Sequence, residues 1–273
     1  MSETARLADV FVFRLMFLLY RLPRRLGEFR QRRPELANAA EALVERKRML
    51  AAYAARKRAV RTRREGRIVE ENEYLIISAL ALDTRTGACG ALHDGRCTIY
   101  PRRPFACRTV PLHYTALEAT AASDLAEFVA TPGHACETGD EAPVVIEDGR
   151  IADPSMRQVR AEALAAAEGD RAWKQAILRR LKAADGELPL PTLQQIEANA
   201  PYGATTTSMR AAWQVAVDSG LMIAEECRAL LRAQLAVIER ELDIGCGSAD
   251  MRQTLAEMRT EYRYRLAAQG GQS

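Results

Sequence analysis

Residues 97–113 read CTIYPRRPFACRTVPLH, and no other stretch restricts the fold as strongly. Pro101, Pro104 and Pro111 each fix φ and remove a backbone donor, so this segment continues neither a helix nor a central strand. It nevertheless carries two thiols, Cys97 and Cys107. The irregular text extends from 84 to 150, is rich in Gly, Pro, Thr and Asp, and holds four of the six cysteines.

Helical text lies on both sides. Ala, Leu, Arg and Glu, the best helix formers, are abundant. The apolar run at 9–22, interrupted by Arg14 and ended by Pro23, is predicted as a buried or partner-facing helix. Residues 34–66 are predicted as a further helix. Pro34 suits a first turn, Leu36, Ala40, Leu43, Val44, Met49, Leu50 and Tyr53 recur at roughly helical spacing, and Gly66 supplies the stop. The compact Ile- and Leu-rich run at 73–83 reads at least in part as a strand. Beyond 150, helices are expected near 155–184, 191–199, 206–219, 220–243 and 248–268.

Charge divides unevenly. Residues 1–70 hold 18 basic and 8 acidic side chains, a balance of +10, against 21 basic and 28 acidic in the remainder, a balance of −7. Such a basic front part suits a long solvated helix docked on the acidic half of the same chain, an acidic protein partner, nucleic acid or an anionic membrane. Aromatic residues make up 6% of the chain, which leaves few rings for base stacking and ranks nucleic acid below a protein partner. The partner surface expected is the basic face of the N-terminal helix, at 46–64. No segment reaches the roughly 20 apolar residues that span a bilayer. A peripheral membrane helix at 9–22, leaning on Arg24, Arg25, Arg30, Arg32 and Arg33, ranks lower still. Glu3 and Asp9 spoil the positive start of a signal peptide, so a cytoplasmic location with reduced thiols is the expectation.

Cys227 belongs to an apolar helical face with Ile223, Leu230, Leu231, Leu235, Ile238 and Leu242, and reads as core. Cys246 reads as a turn thiol. Cys89, Cys97, Cys107 and Cys136 lie together in the irregular text. Four thiolates complete a zinc site or an iron–sulfur cluster, and a metal can order a segment that buries little of itself. The expected ligands are therefore Cys89, Cys97, Cys107 and Cys136. Arg102, Arg103 and Arg108 would offset the thiolate charge, and Tyr100, Arg103 and Arg108 are the residues expected to line the cofactor. His93, His113 and His134 rank below the cysteines as ligands. No Cys-x2–4-Cys knuckle of the kind zinc favours occurs among the four, so a [4Fe–4S] cluster is placed ahead of Zn2+.

The segments Cys89-Gly-Ala-Leu, Asp94-Gly-Arg-Cys97-Thr-Ile-Tyr100, Arg103-Pro-Phe-Ala-Cys107-Arg108 and Pro111-Leu112 resemble the YkgJ-type cysteine-cluster family, which is associated with zinc or iron chelation. Cys136 sits where that family has a later cysteine. The resemblance covers residues 73–137. It implies a metal site but no defined reaction. The family usually has a Cys-x-x-Cys-x-x-Cys-Cys segment upstream, whereas this chain has no cysteine before Cys89.

The expected fold class is thus mainly α, a helical protein with a small, loop-rich metal-binding insert carrying one or two short strands. Three regions are expected: a basic N-terminal helical region at 1–72, the cysteine-cluster region at 73–150 and a C-terminal helical region at 151–273. No catalytic pair, phosphate loop or nucleophile motif stands out. The expected function is a metal-binding protein acting as an electron-transfer or accessory partner. The alternative is a metal- or cluster-dependent enzyme acting on a small molecule or modified peptide.

Overall fold

The computed structural model describes residues 2–32, 34, 39–85, 89–112, 118, 121–130, 137, 139–183, 188–199 and 203–270. Helix α1 (Ser2–Leu7) leads into strand β1 (Phe13–Pro23), and helices α2 (Leu26–Arg32) and α3 (Ala39–Tyr53) precede the long strands β2 (Ala54–Arg64) and β3 (Arg67–Ala81). Two short hairpins follow, β4 (Leu92–His93) with β5 (Arg96–Cys97), and β6 (Ile146–Glu147) with β7 (Arg150–Ile151). Helices α4 (Phe105–Arg108) and α5 (Ala121–Ala130) lie between them. The chain continues through α6 (Pro154–Ala183), α7 (Leu193–Ala198), β8 (Ala204–Ser208), α8 (Met209–Asp218), α9 (Ala224–Ile244) and α10 (Ala249–Gly270).

The fold is mixed α/β, not mainly α with a small insert. Its centre is a four-stranded antiparallel sheet in the order β2-β3-β1-β8. The run predicted as an apolar helix at 9–22 is largely β1. Phe13, Leu15, Phe17 and Leu19 are buried, while Arg14, Met16 and Leu18 between them are half-buried. Apolar residues on both faces of β1 hide the period of two that marks a strand. The helix predicted over 34–66 ends at Tyr53, and its arginine-rich second half is β2. Gly66 stops no helix. Glu65 (φ 48°) and Gly66 (φ 78°) form the two-residue turn of the β2–β3 hairpin, with Arg64 paired to Arg67. Local helix propensity in this arginine- and alanine-rich text yields to ten cross-strand pairs with β3, Ala55 being passed over at a register shift. The strand expected within 73–83 is part of β3, which starts earlier, at Arg67.

The buried side chains of one sheet face, Leu15, Phe17, Leu19, Leu75 and Ile77, are at most 2% exposed. Helix α8 packs beside β1 and against α9, and α9 packs on α10. Their buried residues include Trp213, Val215, Leu231, Ile238, Leu255 and Tyr262. Gln234 of α9, fully buried, accepts from the Phe13 amide at 2.8 Å and donates to the Ala8 and Phe11 carbonyls at 2.7 and 2.6 Å. One side chain from near the chain end thereby satisfies three backbone groups where α1 turns into β1.

Contacts divide the chain into two compact units, 1–98 together with 170–273, and 99–169. The sheet and α8–α10 belong to the first. The second has its own small apolar cluster, in which Leu112, Ala121 and Ile151 are buried and Leu125, Val145, Ile146 and Met156 pack against them. No described helix is long and apolar enough to cross a membrane.

Candidate functional site

The cysteine segment begins on a turn. The Leu92 amide donates to the Cys89 carbonyl at 2.9 Å, so residues 89–92 reverse the chain just before β4. Asp94 (φ 48°) and Gly95 (φ 72°) then form the two-residue turn between β4 and β5, the conformation that an Asp-Gly pair favours. In that hairpin Cys97 lies opposite Leu92, and the Ala91 carbonyl accepts from both the amide and the hydroxyl of Thr98 at 2.9 Å. Cys89 therefore opens the turn that leads into the hairpin, and Cys97 sits on the hairpin's second strand. Both are free thiols, Cys89 exposed and Cys97 half-buried.

Beyond the boundary at 98/99, the chain makes a 3-10 turn (Tyr100–Arg102) and then the single turn of α4, which starts after Pro104. The Cys107 amide donates to the Pro104 carbonyl at 2.9 Å, and the Cys107 thiol is exposed. Of the residues expected to line a cofactor, Arg103 stacks on the Tyr100 ring, 3.7 Å from its centroid, and its Nε donates to the Tyr100 carbonyl. Arg108 lies over Phe105 and pairs with Glu162 of α6 at 3.1 Å. His93 is exposed beside Asp94. Cys136, His113 and His134 lie outside the described residues.

Among the described residues, no three His, Cys, Asp or Glu side chains are grouped closely enough to hold a metal. Cys89 and Cys97 belong to one compact unit, and Cys107 belongs to the other. The two remaining cysteines differ in setting. Cys227 is 2% exposed in the helical core, and burial pushes its thiol pKa up. Cys246 lies in the loop after α9, with its sulfur 3.7 Å from the Glu241 carbonyl.

A second charged constellation was not anticipated from the sequence. Glu71 and Glu73 are neighbours on one face of β3, and their side chains are 0% and 1% exposed. Arg58 of β2 and Arg21 of β1 are the direct cross-strand partners of Glu73. Arg58 Nε donates to its carboxylate at 2.6 Å, Arg21 Nε at 3.0 Å and Arg56 at 3.1 Å. Glu71 accepts from Arg32 at 2.9 Å and from the Thr62 hydroxyl, and pairs with Arg64 at 3.3 Å. Glu197 of α7 takes a further donor of Arg58 at 2.6 Å. Burial alone would raise the pKa of both carboxyls. Donation from Thr62 and Arg32 to Glu71, and from Arg58 and Arg21 to Glu73, outweighs it and holds both below the ordinary carboxylate value. Carboxylates so held stay ionised, and their oxygens are occupied by donors. The arrangement locks β1, β2, β3, α2 and α7 together and leaves neither carboxylate free to act as a proton acceptor.

The sequence does contain a signal for this cluster. Glu71 and Glu73 alternate, and so do Arg56 and Arg58 across the Glu65-Gly66 turn. That signal becomes visible only once 54–64 is read as a strand. No protein-family model matches this chain, and neither the curated proteins nor the solved structures contain a match to it.

Proposed function

We propose that this protein binds a metal centre through Cys89, Cys97, Cys107 and Cys136, as a [4Fe–4S] cluster in preference to Zn2+, and serves as a cytoplasmic electron-transfer or accessory partner of another protein. The observation that carries this reading is the placement of the thiols. Cys89 and Cys107 are exposed and Cys97 is half-buried, whereas Cys227 is in the core. Free cysteine is among the most buried residue types when its role is packing, so thiols held outside the core on a proline-stiffened segment call for another role. The hairpin whose second strand carries Cys97, the stacked Arg103 and the residues shared with the YkgJ-type pattern all support it. When bound, such a group would supply one-electron transfer or charge for orienting a partner. The protein's own contribution would be to present the thiolates, with Arg103 and Arg108, neighbours of Cys107 in sequence, offsetting their charge.

Purification without oxygen, followed by iron, sulfide and zinc analysis, tests the reading. Brown protein with iron and sulfide is expected. Colourless protein with one zinc would transfer the same ligands to the alternative metal. Cys107→Ser should lower metal content, and Cys227→Ser should not. Protein that carries no metal in either form would overturn the proposal.

A further inference from the structure

Strand β2 is the outermost strand on its side of the sheet, and its two faces are treated differently. Side chains at even positions turn toward Glu71 and Glu73: Arg56, Arg58, Thr62 and Arg64 all contact one of those carboxylates. Odd positions face the other way and carry Lys57, Ala59, Arg61 and Arg63. Lys57 sits 5.7 Å from the centroid of the Tyr74 ring. Lys47 of α3 and Arg24 lie on the same side, and Lys47 donates to the Arg24 carbonyl. Burial and the charges of Lys57 and Arg24 press the Lys47 pKa down, so these cations crowd one another. Of the five, Arg24 and Arg61 share Glu70 at 3.4 and 3.5 Å. The five make no other ion pair among the described residues.

The edge itself is open over part of its length. Gln175 of α6 donates to the Ala55 carbonyl at 2.7 Å, and Glu197 covers Arg58. Beyond these, no described backbone group bonds to the outer edge at 59–64. Half of the amides and carbonyls of such an edge point away from the sheet and are available for pairing. Arg61 is 77% exposed, and Ile68, opposite Arg63 on β3, is 70% exposed.

We propose that the outer edge of β2 at residues 59–64 accepts an extended acidic segment of a partner protein as an added edge strand. Backbone pairing would supply the contact area, and carboxylates at alternate positions would meet Arg61, Arg63 and Lys57. Ile68 adds an apolar contact near the hairpin tip. The same cations repel a second copy of this strand, so the edge selects an acidic strand over self-pairing. Nucleic acid fits less well, because Tyr74, the ring beside Lys57, is fully buried and offers no stacking face. A membrane surface would find one exposed apolar anchor here and would leave the edge amides unused. This inference does not rest on the metal reading and relocates the partner surface from a helix face to a strand edge.

The test uses the full chain and a fluorescein-labelled peptide of alternating Glu and Val, about ten residues long to span the open edge. Saturable binding is expected, weakening as salt rises. Arg61→Glu combined with Arg63→Glu should weaken it by about tenfold or more, with an unchanged far-ultraviolet spectrum because both side chains are exposed. Arg63→Ala alone, which removes no ion pair, should give a smaller loss in the same direction. N-methylation of alternate peptide amides keeps the charge but blocks strand addition, and should also abolish binding. The proposal fails if the N-methylated peptide binds equally well, if the arginine variants bind like the parent, or if no binding is seen at about 1 mM peptide. It also fails if a single-stranded oligothymidylate displaces the peptide at equal concentration.

Discussion

Glu73→Gln removes the charge against which Arg21, Arg56 and Arg58 are held, and leaves Glu197, 2.6 Å from Arg58 and 3.8 Å from Arg56, to face the partly desolvated guanidinium groups that Glu73 neutralised. A loss of about 3 kcal/mol is expected, the low end for breaking a buried pair, because Arg58 is 42% exposed and regains water. Urea denaturation of parent and variant measures it, and a loss under about 1 kcal/mol would show that the arginines relax freely into solvent. The pH dependence has a definite sign. Glu71 and Glu73 have folded-state pKa values below their unfolded values. Their stabilisation is therefore fully present above the unfolded carboxylate value of about 4.3 and is lost as pH falls through the lower folded values. A Glu71→Gln, Glu73→Gln double variant should show a flatter decline of urea midpoint with acid than the parent. At this scale the sequence conceals more than it reveals. Cys227 is legible as core because it sits at helical spacing among Leu231 and Ile238. Glu71 and Glu73 are not, because their partners come from β1, α2 and β2, and Arg21 is 52 residues away from Glu73.

At the scale of elements, three two-residue turns organise the hairpins: Glu65-Gly66, Asp94-Gly95 and Asp148-Gly149, each with positive φ at both residues. An alanine at Gly66 would have to adopt φ near 78°. Gly66→Ala is expected to lower stability by about 1–2 kcal/mol through that strain alone, since the space around the position is open. Thermal unfolding of the variant checks this, and an unchanged midpoint would mean the turn rearranges without cost. Asp-Gly is the strongest short-range hairpin signal, so the turns at 94–95 and 148–149 are readable from composition. Glu-Gly after a run of Arg and Ala reads instead as a helix end, and that single ambiguity turns β2 into a helix. The helices beyond 150 are close to expectation because their text is rich in Ala, Leu, Glu and Arg, with α6, α9 and α10 running for 30, 21 and 22 residues. Text at 206–219 divides into the end of β8 and α8, where Ser208 caps the helix by accepting from the Arg210 amide.

Across the whole molecule, the sheet is completed by residues far apart in sequence. β8 pairs with β1 from Leu18 opposite Ala204 to Arg14 opposite Ser208, and Gln234 reaches back over 221 residues to the Phe13 amide. Gln234→Leu preserves approximate volume but leaves one buried amide and two carbonyls unpaired. It should cost about 3 kcal/mol or more, and hydrogen exchange at Phe13 should accelerate with it. Slow exchange in the variant would show that those groups find other partners. This long-range closure is what the sequence could not display. Pairing between 13–23 and 204–208 depends on register, and neither stretch carries a mark of the other. The charge asymmetry, by contrast, was legible, and the structure gives part of it a location: the arginines of β2 meet Glu71 and Glu73 on one face and remain largely unanswered on the other.

X-ray absorption at the metal edge, on protein prepared without oxygen, tests the central claim most directly. The account predicts an all-sulfur first shell that disappears when Cys89, Cys97, Cys107 and Cys136 are changed together to serine. A shell dominated by nitrogen or oxygen, or bound metal that survives that replacement, would contradict it.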